Sequence, residues 1–235
     1  MRSFIFPLLA LLASCAQAPD GQSDPLAPVN RQVHAFNLGF DAQVVRPLTR
    51  PLKAGGGDGE GPLTLVTRVS DNLRLPGKVV NHLLQGRPGK AGRNAARFAV
   101  NTTLGLGGLL DPAGQEFALT EIDTDFGETL HVWGVPEGAY LVLPVLGPSN
   151  VRDAAGKVVD WVLDPLDGVL NADQKAGARG LRLISKAGER ARFGDSVDDV
   201  LHGSVDSYTQ MRMIYQQHRR HELGQEAEVI DPYEE

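Results

Sequence analysis

Apolar residues recur at helical spacing along most of this chain. Val29, Val33, Phe36, Phe40 and Val44 follow one another at intervals of three to four, which predicts a helix over Asp24–Val45. Asp24-Pro25 and Pro28 supply its start, and Arg46-Pro47 is expected to stop it. The glycine-rich run Lys53–Pro62 reads as a loop. Leu65, Val66, Val69 and Leu73 predict a helix over Leu63–Leu75, Pro76-Gly77 a break, and Lys78–Gln85 a second, short helix.

The stretch Asn81–Gly114 departs from the usual loop-and-helix grammar. After a turn at Gly86–Gly89, small residues Ala91, Ala95 and Ala99, with Phe98, line one side of a helical run. Arg93, Arg97 and Asn101 fall at i, i+4 and i+8 and form a polar stripe. The run ends in Gly105, Gly107 and Gly108 interleaved with Leu104, Leu106, Leu109 and Leu110, and closes at Asp111-Pro112. Glycines let the backbone enter conformations that other residues avoid. An apolar segment of that kind suits close backbone packing or an apolar medium better than a watery surface.

Beyond it, Thr124–Trp133 has helical spacing with Phe126, Leu130 and Trp133 on one side. Tyr140–Leu146 is a dense apolar run that leaves open a strand or hairpin, a buried extended segment, or an interfacial segment; Pro144 argues against a central strand. Ser149 is the expected N-cap of a helix carrying Val151, Ala155, Val158, Val159 and Val162, which Asp164-Pro165 ends. Two long amphipathic helices follow, Asn171–Phe193 and Asp195–Arg219. The first has a basic face of Lys175, Arg179, Arg182, Lys186, Arg190 and Arg192, suited equally to solvent or to anionic head groups. His221–Glu235 is acidic and poor in core residues, an expected loose tail. The pattern predicts a mostly α body of about seven or eight helices, with little β.

Charge and chemistry narrow the function classes. The net charge of −6 and low aromatic content argue against a nucleic-acid partner. His218, His221 and Glu222 lack zinc-type spacing, so no metal is expected. No G-x-S-x-G, G-x-G-x-x-G or GK[ST] run is present, and Asp198-Asp199, being adjacent on a helix, do not face one site. A hydrolase would have to be assembled from groups such as His131, Asp123, Asp125 and Ser149. Arg93 and Arg97 are suited either to pairing with carboxylates or to reaching phosphate oxygens from an apolar helix.

The amino terminus carries a targeting segment. Arg2 precedes an apolar run, Phe4–Ala13, of signal-peptide length, too short for the ~20 residues of a membrane span. Leu12-Ala13-Ser14-Cys15 resembles a bacterial lipobox, which implies removal of residues 1–14 and acylation of Cys15, the chain's one cysteine. Ala16 at the next position resembles the pattern for sorting to the outer membrane. Residues 15–23 then form a short lipidated tether that holds the folded body, residues 24–220, at the bilayer.

Taken in order, these pieces resemble the MlaA (VacJ) family of outer-membrane lipoproteins. The matching segments are Asp24-Pro25, Asn30-Arg31, Phe36-Asn37 and Val45-Arg46-Pro47; NHLLQG at Asn81–Gly86; Arg97-Phe98, Asn101-Thr102 and Leu104–Gly108; Asp125–Leu130 with Trp133-Gly134-Val135; Gly138–Pro148 with Arg152-Asp153; and Tyr208, Arg212, Tyr215 and His218. The Lys53–Pro62 loop and the acidic tail lie outside the match.

The resemblance implies a single ring-shaped helical domain in the inner leaflet, with an amphipathic central channel. Through it, phospholipids mislocalised in the outer leaflet pass to a periplasmic carrier similar to MlaC. It further implies association with a trimeric porin and no covalent chemistry. The expected residues of the channel or its rim are Phe36, Asn37, Arg97, Asn101, Gly105, Gly107 and Gly108. No cofactor is expected beyond the acyl and diacylglycerol groups on Cys15. The alternatives are a lipid-anchored envelope hydrolase and a porin-binding scaffold without transport activity.

Overall fold

A computed structural model describes residues 24–49 and 62–225. Cys15, the tether, most of the Lys53–Pro62 loop and the end of the tail lie outside the described residues. Helix α1 (Ala27–Phe40) runs into a π-helical turn, Asp41–Val45, and helical residues 46–49. It thus continues past Pro47, where the sequence predicts a stop. The widened turn, in which the Arg46 N–H donates to the Asp41 carbonyl, re-registers the backbone just ahead of that proline.

Helix α2 (Pro62–Leu84) is continuous through Pro76, so the two helices predicted around Pro76-Gly77 are one. Packing overrides the local signal, because α2 is flanked by α3 (Pro88–Thr103) and by α7 (Ala172–Arg192). Arg182 of α7 donates to the Leu73 carbonyl, and Gly188 lies against Leu63 and Thr67, so α7 runs antiparallel to α2.

The short helix α4 (Pro112–Gln115) and helix α5 (Phe126–Val132) follow, then an antiparallel hairpin of β1 (Tyr140–Leu143) and β2 (Gly147–Asn150). The Tyr140–Leu146 run is therefore a hairpin, and Pro144 sits in its turn. Helix α6 (Val151–Val162) is capped by Asn150, whose side chain accepts from the Asp153 N–H at 2.7 Å. Ser149, the predicted cap, is instead a fully buried strand residue. A 3-10 turn (Pro165–Gly168) leads to α7. The predicted helix over Asp195–Arg219 divides into α8 (Gly194–Leu201) and α9 (Ser207–Glu222), because Asp206 caps a fresh start. His221 and Glu222, read as tail, belong to α9.

The interior is unusually polar. Among the described residues, seven apolar side chains are buried, against twenty polar or charged ones. One small apolar centre exists, Tyr140, Val142 and Tyr208, with Val33 and Tyr215 against it. Asn30 of α1 fits along β1 as a further peptide would: its Nδ2 donates to the Tyr140 carbonyl at 2.9 Å, and its Oδ1 accepts from the Val142 N–H at 3.0 Å. One helical repeat on, Asn37 does the same to the Leu143 carbonyl and the Val145 N–H.

Ionic networks close the body. Arg219 of α9 binds Asp153 of α6 and Asp125, the N-cap of α5. Helices α5 and α6 cross so closely there that a Cβ on Gly156 would lie 2.4 Å from the Gly127 nitrogen. Arg190 joins Asp41 to Asp198.

Burial alone would raise the Asp153, Asp111 and Asp41 pKa values. Hydrogen bonds from Tyr215 and Arg219, from Asn101 and Arg97, and from Arg190 and His202, respectively, outweigh it and hold all three low. A depressed folded pKa gives stability that is present above the unfolded value of about 3.9 and lost as pH falls through the folded values. Asp160, raised by burial, opposes this trend. The urea midpoint of the detergent-solubilised protein should therefore drop as pH falls below about 4. An unchanged midpoint from pH 6 to 3 would show that these carboxylates are not held low.

Candidate functional site

Large apolar side chains face outward over much of the surface. Leu104, Leu106, Leu109 and Leu110 of the glycine loop are exposed, as are Trp133, Val145, Leu146, Trp161, Leu163 and Leu183; Leu183 is 73% exposed. Each such side chain left in water forgoes about 1.5–3 kcal/mol of burial. Exposed large apolar side chains in this number suit a lipid or protein contact. Among the described residues, no helix is long and apolar enough to cross a membrane.

Opening onto this surface is an amphipathic cleft of about 220 Å³. Helix α2 gives it Arg74, Gly77, Lys78, Val80, Asn81 and Leu84; Thr124 and Phe126 of the α5 start form a second wall; Val159, Asp160 and Leu163 of the α6 end form a third, with Asp164, Pro165 and Arg182 beside them. The NHLLQG segment builds the polar part. Asn81 Nδ2 donates to Asp160 Oδ1 at 2.9 Å, while its Oδ1 accepts from the Thr129 hydroxyl at 3.0 Å. Gln85 donates to Thr124 and Thr129. The Phe126 N–H donates to Asp160 Oδ2 at 2.9 Å. Lys78 pairs with Glu121 and with Asp123, and Arg182 with Asp164 at 2.7 Å. Burial, reinforced by Asp125 and Asp164, pushes the Asp160 pKa up against the pull of its two hydrogen bonds. Apolar walls with fixed charges fit a ligand that has both an acyl and an ionic part.

None of the residues expected at the channel or rim lines this cavity. Arg97 and Asn101, placed on the lipid path by their helical stripe, turn onto Asp111: Arg97 Nη2 at 2.9 Å and Asn101 Nδ2 at 2.8 Å. Asn101 is buried and also accepts from the Ala113 N–H at 3.0 Å. Their work is to hold the segment after the glycine loop, as Asn94 does with the Ile122 peptide. Asn37 holds the hairpin. Phe36 is exposed and stacks on Phe40, with ring centroids 6.2 Å apart. Sequence reading missed Asp160. Its one signal is a lone carboxylate inside the apolar run Val158-Val159-Asp160-Trp161-Val162.

The residues of a hydrolase are not assembled. His131 contacts Arg152 at 3.4 Å, and burial followed by the Arg152 and Arg219 charges lowers its pKa. Asp125 is engaged by the Glu128 N–H and Arg219. Lys157 donates to Ser149 Oγ at 3.1 Å, but that serine is sealed from solvent. Asp41, Asp198 and His202 lie together with metal-like geometry. Arg190 binds both carboxylates and Arg46 binds Asp198, so that cluster is already neutralised by cations.

The glycine loop makes unequal demands. Gly107 has φ +76° and Gly108 φ +97°, in the left-handed half of backbone space. A Cβ on Gly108 would lie 2.6 Å from the Asn72 Cβ, and one on Gly105 2.6 Å from two backbone carbonyl oxygens, whereas Gly107 faces open space. Gly107→Ala should cost about 1–2 kcal/mol of backbone strain. Gly108→Ala and Gly105→Ala should cost more than that in urea unfolding. Asn101→Ala, which strips partners from buried groups, should cost about 1–3 kcal/mol. Equal effects at Gly107 and Gly108 would contradict the packing described.

Comparison with known proteins places the chain. A family model described as MlaA lipoprotein matches residues 22–222. The intermembrane phospholipid transport system lipoprotein MlaA of Shigella flexneri is 33% identical over 239 residues, covering 95% of this chain and 88% of that protein. The protein of the same name from Escherichia coli K12 shows the same identity and coverage. An uncharacterized protein of Rickettsia felis is 36% identical over 190 residues, 80% of this chain and 73% of that one. A solved structure described as the structural basis for maintenance of bacterial outer membrane lipid asymmetry superposes with a TM-score of 0.70 at 29% identity, covering 86% of this chain and all of that one. By sequence over most of its length and by its mostly helical fold, the chain belongs to the MlaA lipoprotein family.

Proposed function

We propose that this protein is the outer-membrane lipoprotein of an intermembrane phospholipid transport system, and that it removes mislocalised phospholipids from the outer leaflet to maintain lipid asymmetry. The observation that carries this reading is the amphipathic cleft in the surface of a body whose large apolar side chains face outward. Apolar walls at Leu84, Val159 and Leu163 suit acyl chains, and the charged wall suits a head group. The names of the relatives support the same conclusion. Transport of this kind breaks no covalent bond, so the protein acts without enzymatic chemistry.

On this reading Cys15 carries the acyl and diacylglycerol groups, and the short tether keeps the body in the inner leaflet of the outer membrane. The exposed leucines of the glycine loop, with Phe36, meet acyl chains at the rim. A trimeric porin covers part of the apolar surface, and a periplasmic carrier like MlaC receives the lipid.

Deleting the gene should raise outer-leaflet phospholipid and detergent sensitivity. Restoring the native chain should correct both, and Val159→Trp, which fills the cavity, should not. Val158→Trp, on the exposed side of the same helix, should correct both. Normal asymmetry in the deletion strain, with no redundant system present, would sink the proposal, and full correction by Val159→Trp would remove the cavity from the path.

A further inference from the structure

One carboxyl group in the cavity is left without a countercharge. Asp160 is fixed by two neutral donors, the Asn81 amide and the Phe126 N–H, each at 2.9 Å. Of the other charged residues lining the cavity, Asp164 pairs with Arg182, and Lys78 with two carboxylates. No cation among the described residues comes within ion-pair distance of Asp160. A carboxylate oriented by neutral donors and facing a void retains lone pairs for a cationic N–H donor.

Another wall offers the opposite charge. Arg74 reaches its nearest carboxylate, Asp71, only at 3.9 Å, and it lies one helical turn from Lys78 along the cavity face of α2. The Arg182 Nε, at the same cavity, is buried with no partner among the described residues. Guanidinium groups with open donors favour phosphate oxygens. The cavity thus carries an unanswered negative group on α6 and a weakly paired positive group, Arg74, on α2, beside the Arg182–Asp164 pair.

We infer, on the basis of the transport reading above, that the cavity selects phospholipids whose head group carries a primary ammonium. The phosphate sits on Arg74 and Arg182, the ammonium on Asp160, and the acyl chains lie against Leu84, Val159 and Leu163. A phospholipid with a glycerol head group brings the phosphate charge but nothing to answer Asp160, and is disfavoured by that half-buried carboxylate without a countercharge. Asp160 is therefore a specificity residue, and Asn81 is the residue that positions it.

The test is mass spectrometry of phospholipids bound to the full-length lipidated protein, purified from membranes holding both ethanolamine and glycerol head groups. The native protein should carry a higher ethanolamine-to-glycerol ratio than the membrane it came from. Asp160→Asn should lower that ratio by about tenfold, the loss expected for one charge-assisted hydrogen bond. Asp160→Glu should restore most of it. Should the asparagine variant fail to fold, the native ratio decides alone, and a ratio equal to or below that of the membrane overturns the inference. Bound phospholipid with no change of ratio in a folded Asp160→Asn also overturns it while leaving the transport reading intact. A native protein that carries no phospholipid at all overturns both.

Discussion

The structure depends on joining helices without a large apolar interior. With its leucines and tryptophans turned outward, the body has to be tied together by polar contacts, and the ties follow one design. An aspartate that starts one helix or turn also binds an arginine from another. Asp111 caps α4 and holds Arg97 of α3; Asp125 caps α5 and holds Arg219 of α9; Asp164 caps the 3-10 turn and holds Arg182 of α7; Asp206 caps α9 and holds Arg31 of α1. A cap contributes about 0.5–2 kcal/mol, and these partly exposed pairs add less than the ~3–5 kcal/mol that breaking a fully buried one costs. Local helix initiation and tertiary assembly therefore share the same atoms. The Arg31 pair, about half exposed on both sides, is the weak member of the set.

Asparagines complete the scheme. A two-stranded hairpin is marginal by itself. Here β1 gains a second edge from Asn30 and Asn37, seven residues apart on α1. On α3, Asn94 and Asn101 repeat that spacing to hold Ile122 and the Asp111–Ala113 segment. A carboxamide has the donor and acceptor of a peptide group, so it satisfies an extended strand from a helix without a neighbouring strand. In an interior this polar, such pairing is required, because an unpartnered buried peptide group costs about 1–3 kcal/mol.

Much of the fold was legible from periodicity. The helical class and the long helix after Asn171 follow from spacing that packing leaves in place, while the Tyr140 run, open among three forms, is settled as a hairpin only by the structure. What sequence could not resolve was the direction of polar side chains. Arg97 and Asn101 share a stripe with Arg93, and a stripe looks the same whether it meets a lipid path or a folded-back segment. Asp111, onto which both turn, lies ten residues beyond Asn101 and is brought close by the turns of the glycine loop. Asp160 was hidden for the converse reason. Its partners come from α2 and α5, and nothing near it in the chain hints at either.

Pro76-Gly77 shows how a correct local signal can carry a different meaning. The pair reads as the end of a helix, yet α2 continues through it with neighbours on both sides. Pro76 has no N–H to give to the preceding turn, and Gly77 has no side chain. A Cβ built on Gly77 would meet nothing within 4 Å, and Gly77 lines the cavity. A residue with a side chain there would narrow the space between Arg74 and Asn81, one turn to either side. The weakening of α2 at this point is thus the condition for a void beside it. The helix is held by its flanks, and the missing side chain leaves room for the cleft beside it.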